Sequence, residues 1–249
     1  MPSPNQWRAT ELGGGAVCQT ADEASLTLRP GPASVYHDAQ ISDYSATARD
    51  FANEPPLRLE LRARAHGEIC GTAGFGFWNH AFAPGERGFR LPQALWFFFG
   101  GPENEISLAK DVAGNGWKAA TFDARNWRFR AMLPFASLGF LLMRSQWLYD
   151  ALWSFGQAAI GVSEVALDSA LLADFHHYSI EWRAGSAVFA VDGEVVLRAC
   201  RVPGSRLGFI AWIDNQYAIV TPQGRFGRGL LDIPQLQSLQ FREISITRL

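Results

Sequence analysis

From Leu57 to Ala65 the chain reads Leu-Arg-Leu-Glu-Leu-Arg-Ala-Arg-Ala, with apolar and charged residues taking turns throughout. A period of two sends successive side chains to opposite faces of a strand, so this segment suits a β-strand with one buried and one wet face. Such a strand needs antiparallel neighbours and a second layer to cover its apolar side. A neighbour is legible at 188–197, where Val188–Val191 and Val195–Leu197 flank Asp192-Gly193. Glycine tolerates the positive φ of a type I′ turn, which makes this pair a hairpin signal. Further strands are predicted at 25–28, 34–37, 69–78, 94–99, 105–109, 116–122, 175–183, 207–216 and 238–247, with Gly and Pro in the gaps. Many short strands, without internal repeat or low-complexity linker, predict a single all-β domain over 1–249, a jelly roll or sandwich.

Composition narrows the class. Only 18% of the 249 residues are charged, against about 25% in a typical soluble domain. There are 18 Phe, 9 Trp and 5 Tyr, and the net charge is −2. Apolar content of 48% excludes disorder. With 22 Lys plus Arg against 24 Asp plus Glu and no dense basic run, a nucleic-acid footprint is not expected. Cys18, Cys70 and Cys200 are odd in number and irregularly spaced, so they predict reduced, mostly buried thiols rather than a disulfide framework or a metal site. Neither a signal-peptide h-region nor a lipidation motif is present, so the expected compartment is the cytoplasm. No cofactor is called for, and a structural calcium is left open.

The stretch 132–156 breaks the strand pattern. Trp147, Leu148, Ala151, Leu152 and Phe155 recur at spacings of three and four, which predicts a helix, with Pro134 near its start and Gly156 at its stop. The charge-free run between Arg130 and Arg144 is 13 residues long, short of the roughly 20 a membrane span requires. The expectation is a helix packed on the sandwich, in preference to a shallow interfacial one.

Asp174-Phe175-His176-His177-Tyr178-Ser179-Ile180-Glu181-Trp182, followed by Phe189-Ala190-Val191-Asp192-Gly193-Glu194, resembles the family 16 glycoside hydrolases. Gly74-Phe75-Gly76-Phe77-Trp78 and Leu207-Gly208-Phe209-Ile210-Ala211-Trp212 are similar to further pieces of that family, in the right order. The resemblance implies the concanavalin A-like lectin/glucanase fold: two curved antiparallel sheets with a ligand cleft on the concave face. Alternation places Tyr178, Ile180 and Trp182 on one strand face and His177, Ser179 and Glu181 on the other, so His176 and His177 read as structural or surface residues.

The family carries E-x-D-x-x-E, or a shorter variant, on one strand of the cleft, and retaining hydrolysis needs two carboxylates about 5–5.5 Å apart. No such motif occurs in this chain. The strand in that place reads Gln93-Ala94-Leu95-Trp96-Phe97-Phe98-Phe99, and alternation puts Ala94, Trp96 and Phe98 where the acids would be. Standard glycosidase chemistry is therefore not expected. An apolar strand needs cover on both faces. The insert at 132–156 is the expected cover: a lid over the concave sheet, enclosing a volume lined by Trp78, Trp96, Phe98, Trp147 and Trp153. The rival expectation is a solid packing without a pocket.

Polar candidates stand at the margins of those rings. Trp212, Asp214 and Gln216 share one strand face, with Ile213, Asn215 and Tyr217 on the other, and an Asp desolvated by tryptophan acquires a raised pKa suited to acid or base work. Asn79 and His80 follow Trp78 at another strand end, and Glu103 and Glu105 are the acids nearest the apolar strand. The candidate catalytic residues are thus Asp214, Glu105, Glu103 and His80. The candidate ligand contacts are Trp78, Asn79, Trp96, Phe98, Trp147, Trp153, Trp212, Gln216 and Tyr217.

The favoured function is binding of an apolar or amphiphilic small molecule in an aromatic cleft, or its conversion by a non-hydrolytic enzyme of the isomerase or cyclase kind. One alternative is a divergent family 16-like hydrolase or carbohydrate-binding module with a glycan-containing ligand. A second is an interaction domain without a ligand. No nucleic acid and no transmembrane segment enter any of these.

Overall fold

The computed structural model describes residues 7–45, 50–80, 90–109, 112–221 and 225–249. The strands are β1 (Arg8–Leu12), β2 (Gly15–Gln19), β3 (Glu23–Leu28), β4 (Asp38–Ser42), β5 (Leu57–His66), β6 (Thr72–Trp78), β7 (Gln93–Gly100), β8 (Glu105–Ile106) and β9 (Gly116–Asp123). Helices α1 (Trp127–Met132), α2 (Ala136–Leu142) and α3 (Gln146–Ile160) follow. The chain returns to strands with β10 (Ser163–Leu167), β11 (His176–Arg183), β12 (Ser186–Val191), β13 (Glu194–Ala199), β14 (Gly208–Asp214), β15 (Gln216–Val220), β16 (Phe226–Leu230) and β17 (Gln237–Arg248).

Two seven-stranded sheets form the sandwich, in the orders β1-β4-β14-β6-β7-β9-β10 and β13-β12-β11-β5-β17-β3-β2. All their pairings are antiparallel. A small third sheet, β16-β15-β8, includes one parallel pairing, β15 with β8.

The alternation read at 57–65 explains the core. Leu57, Leu59, Leu61 and Ala63 of β5 point inward, as do Tyr178, Ile180 and Trp182 of the neighbouring β11. Across the gap β6 and β7 present Phe75, Phe77 and Phe97. Rings interlock between the sheets: Phe97 to Tyr178 at 5.0 Å, Phe75 to Phe241 at 5.6 Å and Phe77 to Trp182 at 5.5 Å between centroids. Edge-on and tilted pairs of this kind add to the burial of each ring. The hairpin is formed as expected, with φ of 49° at Asp192 and 82° at Gly193. The Asp192 carboxylate accepts from the His177 backbone N–H at 2.9 Å and contacts His176 Nδ1 at 2.5 Å, which holds its pKa below the usual range. Both histidines are surface partners of acids, His177 lying near Glu60.

Several expected boundaries move. Residues 34–37 are loop, and the strand starts at Asp38, past Pro30 and Pro32. The strand expected at 105–109 is confined to Glu105–Ile106. The single helix expected at 132–156 is three helices. Asn126 caps the first by accepting from the Arg128 N–H at 3.0 Å, and Pro134 sits in a 3-10 turn between α1 and α2. Helix α3 runs through Gly156 and stops at Gly161, whose φ of 68° is the left-handed conformation that ends helices. Cys18 and Cys200 are exposed and Cys70 half-buried, contrary to the expected burial. Cys18 lies on β2, the edge of the second sheet, and Cys200 just past β13, its other edge.

A methyl group at Gly156 would meet nothing within 4 Å. Gly156→Ala is therefore expected to raise the free energy of unfolding by about 0.5–1 kcal/mol, because glycine loses more backbone entropy in a helix. Urea denaturation measures this, and an unchanged or lowered midpoint would contradict the helical assignment at that position.

Candidate functional site

Alternation on the strands of the first sheet sends one set of side chains into the core and the other outward. On β7, Leu95 and Phe97 enter the core, while Trp96 and Phe98 face out. The outward set on β14 is Ile210, Trp212 and Asp214, and on β9 it is Lys118, Ala120 and Phe122. Trp96 is central. Its ring lies 5.4 Å from Trp212, 5.6 Å from Phe98, 5.7 Å from Phe122 and 6.1 Å from Trp78. The rings lie down because their ladder partners are small. Gly74 pairs with both Trp212 and Phe98, and a Cβ there would come within 2.8 Å of the Trp212 ring. Ala120 pairs with Trp96. Phe98 and Trp212 are buried, with Ile106 and Phe51 packed at the side of the cluster, while Trp78 and Trp96 remain half-exposed.

A polar cluster closes one end. Asp214 and Asp38 are direct partners across the β14–β4 ladder and both point outward. Opposed residues of that kind have Cβ atoms about 5 Å apart. Asp214 Oδ1 accepts from the Thr72 N–H at 3.2 Å, the Thr72 hydroxyl at 2.8 Å and the Gln216 N–H at 3.1 Å. Trp212 Nε1 donates to the same Thr72 hydroxyl at 3.0 Å, which ties the ring cluster to the carboxylate. The Tyr36 phenol interacts with Asp214 and Gln216, and burial first, then the Asp214 charge, raises its pKa. Burial pushes the Asp214 carboxyl up to about 6, against the pull of its donors. Burial first, and then the Asp214 charge, pushes Asp38 well above the ordinary carboxylate range. Two like charges this close in a desolvated place do not both ionise readily, so the pair holds a proton in mildly acidic solution.

At the opposite end Trp78 Nε1 donates to the buried Tyr44 hydroxyl at 2.6 Å, and that hydroxyl is 3.0 Å from His80 Nδ1. On the β9–β10 side the Lys118 ammonium, itself buried, meets Glu164 at 3.1 Å and the Ile106 carbonyl at 2.9 Å. Glu164 also accepts from the Ala109 N–H at 2.9 Å, so the pair pins the 105–109 segment beside the rings.

The structure thus brings together Trp78, Trp96, Phe98, Trp212, Asp214 and Gln216, with His80 at the far end. It leaves other candidates apart. Trp147 is 85% exposed on α3, and Trp153 is half-buried outside the ring cluster. The helices pack on one another. They are tied to the sandwich through Gln157, which donates to the Leu108 carbonyl at 2.6 Å, and Arg201, which donates to the Ala158 carbonyl at 2.8 Å. Large apolar side chains of the insert, Trp147 among them, face solvent. Among the described residues the rings pack on one another instead of lining an enclosed chamber.

Glu103 is exposed in a turn, whereas Glu105 pairs with Arg225 at 3.3 Å, so the two do not form a carboxylate pair. Asn79 spends its amide on backbone, donating to Leu91 O and accepting from the Gln93 N–H. Tyr217 packs its ring on Gly229 of β16. Tyr36, Asp38, Thr72 and Tyr44 are members of the site that the sequence reading missed. One signal was available for Asp38: Asp38, Gln40 and Ser42 alternate with Ala39 and Ile41, a wet face beginning one residue beyond the predicted strand.

No family model matches the chain, and no curated protein matches it either. Solved structures do. A Bacillus licheniformis β-glucanase superposes with a TM-score of 0.52 at 9% identity, covering 98% of this chain and 94% of the glucanase. A β-1,3-1,4-glucanase (lichenase) from a mouse hindgut metagenome gives 0.51 at 12% identity, with 98% and 94% coverage. A legume lectin-like domain from Entamoeba histolytica gives 0.50 at 7% identity, with 98% and 91% coverage. At such identities the likeness is one of fold: the chain is a concanavalin A-like jelly roll of the lectin/glucanase type, resembling the family 16 enzymes without their acid motif.

Proposed function

We propose that the protein binds glycan chains across the outer face of its first sheet. The observation that carries this reading is the half-exposed Trp78–Trp96 pair, bordered on the same face by Asp38, Asp214, Tyr36 and Gln216. Flat aromatic rings suit the apolar C–H faces of pyranose rings, and a few polar groups at the margin fix orientation. The glucanase and lectin-like folds among its structural neighbours favour a glycan over the apolar small molecule.

Trp96→Ala is expected to weaken binding of a mixed-linkage β-glucan at least about tenfold, or about 1.4 kcal/mol. Affinity electrophoresis and calorimetry with oligosaccharides measure it. Absence of binding by the intact protein at millimolar oligosaccharide, or an unchanged affinity in the variant, would overturn the assignment.

The Asp38–Asp214 pair favours turnover as a second reading. One protonated and one ionised carboxyl is the state an acid/base pair requires, here placed on β4 and β14 instead of on β7, where the family resemblance puts its acids. Release of reducing ends by the intact protein, abolished in Asp214→Asn, separates turnover from binding alone.

A further inference from the structure

The helical insert carries an apolar surface that the sandwich does not cover. Trp127 is 73% exposed, Phe135 68% and Phe155 64%, beside Trp147. Leu138, Leu141 and Leu142 of α2 are also exposed, at the spacing of three and four that makes one stripe. A groove of about 520 Å³ between α1 and α3 is lined by Trp127, Met132, Phe135 and Phe155 with the Arg128 side chain. A packed helix turns such a face toward the core, and a contiguous exposed one marks an interaction surface.

Charge identifies the partner. Arg128, Arg130 and Arg144 are all exposed on this segment, where the one acid is Asp150, although the whole chain has a net charge of −2. Tryptophan and arginine together are the side chains that settle at the boundary between lipid headgroups and acyl chains. The ring enters the apolar zone, while the guanidinium stays among the phosphates at the end of an apolar stem. No described helix is long and apolar enough to cross a membrane, and α1, α2 and α3 are short elements suited to lying in its surface.

We propose that the 127–160 insert docks the protein on an anionic lipid bilayer, with Trp127, Phe135 and Trp147 inserted at headgroup depth and the arginines on lipid phosphates. This rests on the insert alone and is independent of what the first sheet binds.

Vesicle co-sedimentation of the full chain tests it, using phosphatidylcholine vesicles with and without phosphatidylglycerol. The intact protein is expected to pellet with the anionic vesicles at low salt and to be released as salt rises. Trp127→Ala/Trp147→Ala is expected to lower the partition coefficient at least about tenfold. In Arg128→Glu/Arg144→Glu the preference for anionic over neutral vesicles disappears, since each arginine near such a surface contributes about fivefold. These side chains are exposed, so thermal unfolding of both variants should match that of the parent, which separates lost docking from lost folding. Protein that stays in the supernatant of anionic vesicles at low salt would overturn the proposal, as would sedimentation unaltered in the tryptophan variant. So would a stable dimer by light scattering that the same variant dissolves, for then a second copy covers this face.

Discussion

Asp214→Asn should make the protein's stability less sensitive to pH between about 4 and 7. In the native chain Asp214 is pushed up to about 6 by burial, and Asp38 opposite it is raised well above the ordinary range, first by its own burial. A raised native pKa means that the folded state holds protons which the unfolded state has released. The stabilising contribution is thus fully present below the unfolded pKa near 4 and disappears as pH rises through the folded value. For Asp214 the difference amounts to about 3 kcal/mol on the scale of 1.4 kcal/mol per pKa unit. The native protein is expected to melt at a higher temperature at pH 5 than at pH 7.5. Asparagine retains an Oδ1 for the three donors that meet Asp214 Oδ1 and removes the charge that opposes ionisation of Asp38. The variant should gain stability most at pH 7.5. Asp38, still raised by its own burial, and Asp43, also raised chiefly by burial, leave a residual slope of the same sign. Parallel pH profiles in the two proteins would show that the carboxyl pair is not coupled as its geometry requires.

Glu164→Leu should destabilise the fold by about 3–5 kcal/mol, because it leaves the buried Lys118 ammonium without its counter-charge. Desolvation already pulls the Lys118 pKa down, with Glu164 pulling it back up. Lys118→Met alone should cost a comparable amount. The double variant is expected to recover most of the loss, since two apolar side chains of similar volume avoid the desolvation of two ions. Denaturant unfolding of the three variants completes the cycle. Simple additivity would mean that the side chains act separately. The double variant also releases the Ala109 N–H and the Ile106 carbonyl from their partners. It should therefore loosen the 105–109 segment beside Phe98 even where global stability returns.

The sandwich was legible because each strand's inward residues are dictated by the core. Leu57 to Ala63 and Tyr178 to Trp182 alternate so regularly that one register buries them. The Asp192-Gly193 turn follows from local chemistry alone. Trp96 and Phe98 on the outward face, with no acids, could be read for the same reason. The carboxyl pair could not, because Asp38 and Asp214 become neighbours only when β4 lies beside β14. Neither residue's local pattern names the other. The helix ended later than expected because Gly156 faces open space and has no need of a left-handed turn, whereas Gly161 adopts one. What covers the outward rings was not legible for a different reason. An apolar period reports that a face avoids water, not which surface covers it: Phe98 and Trp212 are sheltered by neighbouring rings, while Trp96 stays half-exposed.

The insert leaves β9 and returns on β10, where Thr121 and Ser163 stand directly opposite each other in the ladder. Exit and re-entry points one strand apart make the helices a detachable module. A short reverse turn could join β9 to β10 with the sheet order intact. The proposed docking by the insert and the proposed binding by the first sheet are therefore separable, and a version shortened at this point should remain a complete jelly roll.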